Sequence, residues 1–150
     1  MSEQIRTVIR LTKEHLSEVA ELERLCFSEP WSEKSLELLL GEDAVGFVSL
    51  QNGRAVAYGG MLWAVDEGQV TNVAVHPDAR RCGHARAIVK AFADAARARG
   101  AVQISLEVRQ SNAAAIALYE QNGYVSVGKR KHFYRNPRED ALIMICNLKN

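Results

Sequence analysis

A valine-rich strand, a short basic loop and a long amphipathic helix follow one another over residues 70–99, and this order strongly limits the folds open to the chain. Residues 70–75 show no apolar face at helical spacing and predict a strand, which Pro77 ends because proline cannot donate to a sheet ladder. Gly100 stands where the C-cap of the following helix is expected. The apolar face of that helix consists of Ala85, Ile88, Val89, Phe92 and Ala96.

The loop between this strand and this helix suits an anionic ligand. The first turn of a helix carries unpaired N–H groups and the positive end of the helix dipole. Gly83 lets a ligand approach the main chain, and Arg80, Arg81 and Arg86 add positive charge. Neither the Gly-Lys-Ser/Thr of a P-loop nor the Gly-x-Gly-x-x-Gly of a dinucleotide fold is present. A phosphate or diphosphate site is therefore expected, and a well-capped surface helix is the alternative.

The whole sequence has the size and composition of one globular domain, residues 1–150. It is 47% apolar and 25% charged, and its net charge of +1 gives no general attraction to nucleic acid or to an anionic membrane. No apolar run reaches the roughly 20 residues of a membrane helix, and the first residues lack the apolar core of a signal peptide. The three cysteines and four histidines show no metal-ligand or disulfide spacing. We therefore expect a cytoplasmic protein without a bound metal.

The rest of the chain predicts six more strands and three more helices around this central unit. Asn52-Gly53 between two apolar runs is a strong signal for a two-residue hairpin, and residues 66–68 are expected to reverse the chain before the central strand. Ser32 and Asn112 are expected to cap the second and fourth helices. The six strands are expected at residues 5–10, 45–51, 54–65, 102–108, 124–131 and 141–148.

The first two helices carry leucine-rich faces toward a core. The first is expected to begin after Thr12 and the second to end before Gly41. The element order β-α-α-β-β-β-α-β-α-β-β then predicts an α/β (α+β) fold, with a mixed sheet of about seven strands and four helices in a three-layer sandwich. The residues expected to face inward on these two helices are Leu16, Val19, Ala20, Leu22, Leu36, Leu39 and Leu40.

Glu107 is a candidate for acid–base chemistry. If the apolar neighbours Leu106 and Val108 face one side of the sheet, Glu107 faces the other. A carboxylate near the end of an otherwise apolar strand needs a reason. The structural alternatives to a catalytic role are an ion pair with Arg109 and a solvated sheet edge.

Tyr119 is the second candidate. It lies two helical turns beyond the Asn112 cap and shares a helix face with Ile116. The structural alternative is a core tyrosine whose hydroxyl is hydrogen-bonded, which is the commoner environment of buried tyrosines.

Three motifs together resemble those of a known family. Arg80-x-x-Gly83-x-Ala85 resembles the CoA-loop signature of the GNAT family, the acetyl-CoA-dependent N-acetyltransferases. Leu-Glu-Val-Arg-x-Ser-Asn-x-x-Ala-Ile-x-Leu-Tyr over residues 106–119 and Phe-x-x-Pro-Trp-Ser-Glu-Lys over residues 27–34 stand at the expected distances from it. The order of elements resembles the GNAT fold over nearly the entire chain, and the last two motifs resemble the bacterial branch of this family that acetylates the N-terminal alanine of a ribosomal protein. The resemblance implies the GNAT fold, acetyl-CoA as co-substrate and a protein N-terminus, plausibly that of a ribosomal protein, as acceptor.

The resemblance also implies roles for individual residues. Glu107 matches the family's proton acceptor, and Tyr119 matches its proton donor. The central strand is implied to hold the acetyl-pantetheine arm through its backbone, the loop to bind the diphosphate, and the next helix cap to contact CoA. The residues implied for these contacts are Val73, Ala74, Val75, Arg81, Cys82, Gly83, His84, Ala85, Arg86 and Asn112.

The loop departs from the usual family residues at Cys82, His84 and Ala85. His84 is expected to point to solvent, and Cys82 is given no nucleophilic role, because direct attack of an amine on a thioester needs no covalent enzyme intermediate.

Aromatic residues outside these motifs are candidates for the acceptor groove. Tyr134 is a candidate to reach the substrate from the last hairpin loop but is not assigned that role, and Phe27 and Trp31 are explained equally well by core packing. The leading hypothesis is transfer to a protein N-terminus. A GNAT enzyme acting on a small amine or a lysine side chain, and a CoA-binding module without turnover, stay open as alternatives. The sequence gives no indication of the oligomeric state.

Overall fold

The computed structural model describes residues 6–149 and arranges seven strands in one sheet of order β1-β2-β3-β4-β5-β7-β6. The strands are β1 (Arg6–Arg10), β2 (Ala44–Gln51), β3 (Arg54–Trp63), β4 (Glu67–Val75), β5 (Gln103–Arg109), β6 (Tyr124–Tyr134) and β7 (Glu139–Asn147). The α-helices are α1 (Leu16–Cys26), α2 (Glu33–Leu36), α3 (His84–Arg99) and α4 (Ala113–Gln121). The predicted element order is confirmed, while Ile5, the expected first residue of β1, lies outside the described residues.

The sheet is mixed and mostly antiparallel, as predicted. Every neighbouring pair of strands runs antiparallel except β4 and β5, which are parallel. The hairpin between β2 and β3 turns at Asn52 and Gly53, both with positive φ, which is the conformation that a two-residue hairpin turn requires.

Helices cover both faces of the sheet and produce three layers. One core cluster joins the buried faces of α3 and α4 to the sheet, and the other joins α1 and α2 to the opposite face. The neighbouring β3 residues Ala57 and Tyr58 belong to different clusters, as successive strand residues must. The expected inward-facing residues of α1 are all buried.

Two glycines of β3 let helices approach the sheet closely. A Cβ at Gly59 would lie 2.6 Å from both Ile88 and Phe92 of α3. A Cβ on the next residue, Gly60, would lie 2.7 Å from a methyl group of Leu39 on the other face. The absence of a side chain at two successive positions therefore allows tight packing on both faces.

Two strand boundaries differ from the prediction by three residues, and the others by one or two at most. β4 begins at Glu67 rather than at Val70, because the Ala64 N–H donates to the Glu67 carbonyl at 2.9 Å and the chain reverses before residue 67. Residues 67–68 are therefore in the strand and not in the turn. β6 likewise extends past Lys131 to Tyr134, so Tyr134 belongs to a strand end.

The first two helices also differ in detail. Thr12 precedes a 3₁₀ turn (Lys13–His15), and α1 begins only at Leu16. α2 continues as a second 3₁₀ turn (Glu37–Leu40), in which residues three apart are aligned. Leu36 and Leu39 are therefore both buried, whereas Leu40, expected to face inward, is 40% exposed. Among the described residues no helix is both long and apolar enough to cross a membrane.

Candidate active site

The central strands β4 and β5 separate after a short parallel pairing. Only Glu67–Gln69 of β4 is paired with β5, at Gln103–Ser105. Beyond that point β5 pairs with β7 as far as Arg109, while β4 continues beside β3 to Val75. Within the described chain the second half of β4 therefore has no strand partner on its β5 side. Its backbone N–H and C=O groups can pair with an extended ligand there.

A β-bulge lies where the two strands separate. Gly60 of β3 pairs with Asn72 and Met61 pairs with Val70, so Thr71 is an extra residue on β4. Bulges increase the local twist and change the direction of the following residues. The residues implied to hold the pantetheine arm, Val73, Ala74 and Val75, all follow this bulge on the unpaired part of β4.

The start of α3 offers free backbone donors. The first N–H of α3 with an intrahelical partner is that of Ala87, which donates to the Gly83 carbonyl at 3.1 Å. Among residues 6–149 no side chain caps this end, and no acidic residue lies in the first turn. Gly83 is the N-cap with φ 84°, and the exposed Arg81 also has positive φ at 65°. The predicted anion site is thus a 16-residue helix whose positive end lacks a protein acceptor.

The expectation that His84 points to solvent is wrong. Its side chain is buried beneath the loop, with Nδ1 2.6 Å from Ser49 Oγ and Nε2 3.0 Å from Gln51 Oε1. Because Gln51 Oε1 can only accept, Nε2 carries the proton and Nδ1 accepts from the Ser49 hydroxyl. Two residues of β2 therefore hold the first residue of α3 from behind.

β1 holds the same loop from its other side. Arg6 Nη1 donates to the Cys82 carbonyl at 2.7 Å, and its guanidinium occupies the place that a Cβ at Gly83 would need. Glycine is required at position 83 both for its positive φ and for this contact. The loop backbone is thus fixed by contacts with β1 and β2, while Arg81 and Arg86 extend into solvent.

Glu107 lines an open cavity of about 380 Å³ between β4, β5 and β7. Its carboxylate lies 3.6 Å from Arg130 Nε, and its side chain is 29% exposed. The expected structural alternative, an ion pair with Arg109, is not formed. Arg109 instead pairs with Glu139 at 3.3 Å and donates to backbone carbonyls of the β6–β7 loop. Glu107 is therefore accessible to a substrate.

Tyr134 lies near both candidate residues, Glu107 and Tyr119. The Arg109 guanidinium stacks 4.4 Å from the centre of its ring. Burial, and then the negative charge of Glu107, raise the pKa of Tyr134 to about 12. Tyr134, which the sequence offers as a candidate to reach the substrate, therefore lies near Glu107.

Tyr119 is buried and its phenol makes no hydrogen bond to residues 6–149. Its ring packs on Tyr124 with centroids 5.4 Å apart. Burial raises the pKa of Tyr119, with a smaller contribution from Tyr134. The structural alternative of a hydrogen-bonded core hydroxyl is therefore not observed, and the phenol keeps its proton at neutral pH.

The cap of α4 follows the prediction. Asn112 Oδ1 accepts from the Ala115 N–H at 3.2 Å, and the rest of this exposed side chain is free to contact a ligand.

Phe27, Trp31 and Tyr134 line one groove of about 360 Å³, together with Asn72 and Arg109. One wall is the α1–α2 loop and the other is the β6–β7 loop. Asn136 Nδ2 of the second wall donates to Glu29 Oε1 of the first at 3.3 Å. The structure therefore brings together the three aromatic residues that sequence reasoning considered for an acceptor. We call this cavity the acceptor groove.

Residues 6–149 contain no cluster of histidine, cysteine and acidic side chains suited to a metal ion. Cys26, Cys82 and Cys146 are free thiols. Sequence reasoning missed the buried Glu23 beneath the acceptor groove and the bulge at Thr71, because both depend on contacts between residues far apart in the chain.

Comparisons with known proteins agree with this geometry. Residues 16–124 match the model of the acetyltransferase (GNAT) family. The chain is 37% identical over 142 residues, 93% of its length and 96% of the relative's, to the [ribosomal protein bS18]-alanine N-acetyltransferase of Escherichia coli strain K12. It is 30% identical over 131 residues, 85% of this chain and 89% of the relative, to the enzyme of that name from Haemophilus influenzae. The crystal structure of the ribosomal-protein-S18-alanine N-acetyltransferase from Escherichia coli superposes with a TM-score of 0.89 at 36% identity, covering 97% of this chain and 96% of that one.

The His84 network predicts a specific pH dependence of stability. Burial, and then the charge of Arg6, lower the pKa of His84 below its usual 6.5. The unfolded chain therefore binds more protons than the folded one near that pH, and stability rises with pH. The contribution of His84 is complete above about 6.5 and is lost as pH falls through the lower folded pKa. We expect His84→Gln, which does not titrate, to flatten the curve of unfolding free energy between pH 7 and pH 5, measured by urea denaturation. Parallel curves for the two proteins would contradict this network.

Proposed function

Because the chain belongs to the GNAT acetyltransferase family, we propose that it transfers the acetyl group of acetyl-CoA to the N-terminal α-amine of a protein, the N-terminal alanine of a small-subunit ribosomal protein. The observation that carries this proposal is the 37% identity to a ribosomal-protein-alanine N-acetyltransferase across 93% of the chain. The acceptor groove, which is lined by Tyr134 near Glu107, supports a protein acceptor. An acceptor of this kind would be met in the cytoplasm, where we propose that the protein acts.

The residues around β4 and α3 fit acetyl-CoA. A diphosphate suits the free N–H groups at the start of α3, and Arg81 and Arg86 add charge at the same place. His84 contributes its backbone N–H to this site, since its side chain is turned toward β2. The amide groups of the pantetheine arm suit the unpaired edge of β4. The proposed CoA contacts are Val73, Ala74, Val75, Arg81, Cys82, Gly83, His84, Ala85, Arg86 and Asn112.

Deprotonating an N-terminal ammonium group, so that its amine can attack, costs little free energy near neutral pH. An α-ammonium group has a pKa of about 7.7–8.0, whereas that of a lysine ammonium is about 10.4. The gap of about 2.5 units corresponds to about 3.5 kcal/mol less free energy to release the proton. One modest base therefore suffices, and we propose that Glu107 accepts the proton directly or through one water. Arg130 keeps the carboxylate in place and exposed to the cavity.

The remaining steps need one acid and one oxyanion donor. When the amine attacks the thioester carbonyl, negative charge develops on the oxygen, and we propose that an N–H of β4 near Val73 binds it. The C–S bond then breaks and the departing thiolate needs a proton. We propose that Tyr119 donates it, because its phenol is protonated at neutral pH and has no competing partner among residues 6–149.

A panel of short peptides tests the acceptor class. We expect acetylation of a peptide with a free N-terminal alanine, because an α-ammonium group releases its proton to a base more easily than a lysine ammonium does. A peptide with a blocked N-terminus and an internal lysine is expected to give no product above the rate without enzyme, measured by thiol release and mass spectrometry. Acetylation of the blocked peptide would instead favour a lysine or small-amine acetyltransferase, and no turnover with any acceptor would favour a CoA-binding module.

Tyr119→Phe removes only the phenolic hydroxyl. We expect kcat to fall about 100-fold or more, while the affinity for acetyl-CoA changes little, because the donor acts on the leaving group and not in binding. Tyr124→Phe is the matched control: the neighbouring Tyr124 hydroxyl is buried and unbonded, and its loss should leave kcat unchanged. Equal turnover by Tyr119→Phe and the unmodified protein would remove Tyr119 from the mechanism.

Glu107→Gln removes the proposed base. We expect the rate to fall most at low pH, where the acceptor amine is mainly protonated, and least above the amine pKa of about 8. The ratio of the two rates should be measured from pH 6 to pH 9 at saturating acetyl-CoA. Glu120→Gln, on the exposed face of α4, serves as control. A loss of rate that is uniform across this pH range would indicate that Glu107 positions the substrate and does not accept a proton.

A further inference from the structure

A fully buried carboxylate lies directly behind the acceptor groove. Glu23 of α1 is 0% exposed and accepts three hydrogen bonds. Oε1 accepts from the Trp31 N–H at 2.8 Å, and Oε2 accepts from Asn72 Nδ2 at 3.0 Å and from the Tyr58 hydroxyl at 2.5 Å. All three partners act as donors, so this arrangement suits an ionised carboxylate, which can only accept.

No positive side chain pairs with Glu23 among the residues of the described chain. Burying a carboxylate costs free energy even when hydrogen bonds replace its hydration, and an apolar side chain at this position would fill the core at less cost. The stability of α1 therefore does not explain why the core contains this charge. A charged group that is arranged with specific partners beside a cleft is a candidate for a functional role, and Glu23 is such a group.

Two of the three partners belong to the acceptor groove. Trp31 lies in the wall formed by the α1–α2 loop, and Asn72 lies on β4 directly after the bulge. Tyr58, the third partner, is buried in the core. One carboxylate thus fixes a wall and the floor of the acceptor groove relative to each other.

The bond to Glu23 also sets the orientation of the Asn72 carboxamide. Asn72 Nδ2 is directed at Glu23, and Asn72 Oδ1 makes no hydrogen bond to residues 6–149. An oxygen that lines the groove and has no protein partner is a ready acceptor for an N–H group of a ligand. The acceptor amine of the proposed reaction carries such groups.

We propose that Glu23 is a positioning residue for the acceptor. It holds Asn72 so that the Asn72 carboxamide oxygen binds the N-terminal amine of the acceptor. It also fixes the position of Trp31, and so of that wall of the groove, relative to Asn72. This inference rests on the proposed function and adds the residues that select the amine. The negative charge of Glu23 also attracts the protonated form of the acceptor amine into the groove.

Glu23→Gln is the direct test, because the side chain keeps its size. A glutamine has one oxygen and one NH₂ group, so its NH₂ group must replace either Oε1, which accepts from the Trp31 N–H, or Oε2, which accepts from Asn72 Nδ2. In either orientation a donor then faces a donor, and one of these hydrogen bonds is lost. We expect the KM for a peptide with a free N-terminal alanine to rise about tenfold or more, the effect of losing one hydrogen bond to a charged group. The KM for acetyl-CoA should stay within about twofold, because no residue that lines the groove belongs to residues 80–86 of the loop before α3.

Two further variants separate positioning from general destabilisation. Glu18→Gln is the matched control: Glu18 lies on the same helix and accepts one backbone N–H, from Ala55 at 3.1 Å, away from the groove. It should leave both KM values unchanged. Asn72→Ala should raise the peptide KM as Glu23→Gln does, and the double variant should add little to either, because Glu23 acts through Asn72.

The possible outcomes are distinct. A wild-type peptide KM in Glu23→Gln, with only a lowered melting temperature, would overturn the inference by reducing Glu23 to a structural residue. If Glu23→Gln does not fold, Asn72→Ala decides alone, and an unchanged peptide KM overturns the inference. Failure of the unmodified protein to acetylate the peptide at all would overturn the proposed function and this inference with it.

Discussion

The separation of β4 and β5 after three paired residues is the constraint on which the site depends. Inside a sheet, backbone N–H and C=O groups normally pair with a neighbouring strand, and leaving them unpaired is costly. Here the second half of β4 keeps a free edge in the middle of the sheet. Successive residues at the bulge then line different cavities: Thr71 faces the Glu107 cavity, and Asn72 faces the acceptor groove. One interruption of a ladder therefore gives an extended ligand access between the two cavities.

Buried polar contacts hold the edges of this gap. His84 connects the loop before α3 to β2 through Ser49 and Gln51, and Glu23 connects the acceptor groove to α1 and β4. Each network joins segments that are more than 30 residues apart in the chain, and in each the central side chain, His84 or Glu23, has hydrogen-bond partners for both of its polar atoms. Networks of this kind restrict the backbone to one arrangement more strongly than apolar contacts do. These two networks explain how the loops on either side of the gap keep a fixed geometry although they are not part of a helix or strand.

Local signals in the sequence predicted most of the fold. Asn52-Gly53, Pro77 and Gly100 mark a hairpin, a strand end and a helix end, because the backbone geometry of each depends on the residue itself. The motif positions also placed Glu107 and Tyr119 in one region by resemblance to a family.

What the sequence could not predict depends on contacts across the sheet. Nothing local distinguishes a buried His84 from an exposed one, since its partners on β2 lie 33 and 35 residues away. The bulge at Thr71 is defined by which residues of β3 pair with which residues of β4, and this pairing cannot be read from either segment alone. The inward orientation of Leu40 failed as a prediction because a 3₁₀ turn replaces the last turn of an α-helix, and periodicity does not separate the two.

A crystal structure of the protein with bound CoA tests the central claim most directly. The account predicts density for the diphosphate at the backbone N–H groups of residues 84–86, the pantetheine arm along β4 beyond Thr71, and the sulfur within hydrogen-bonding distance of the Tyr119 phenol. A diphosphate bound elsewhere, or a sulfur remote from both Tyr119 and Glu107, would contradict it.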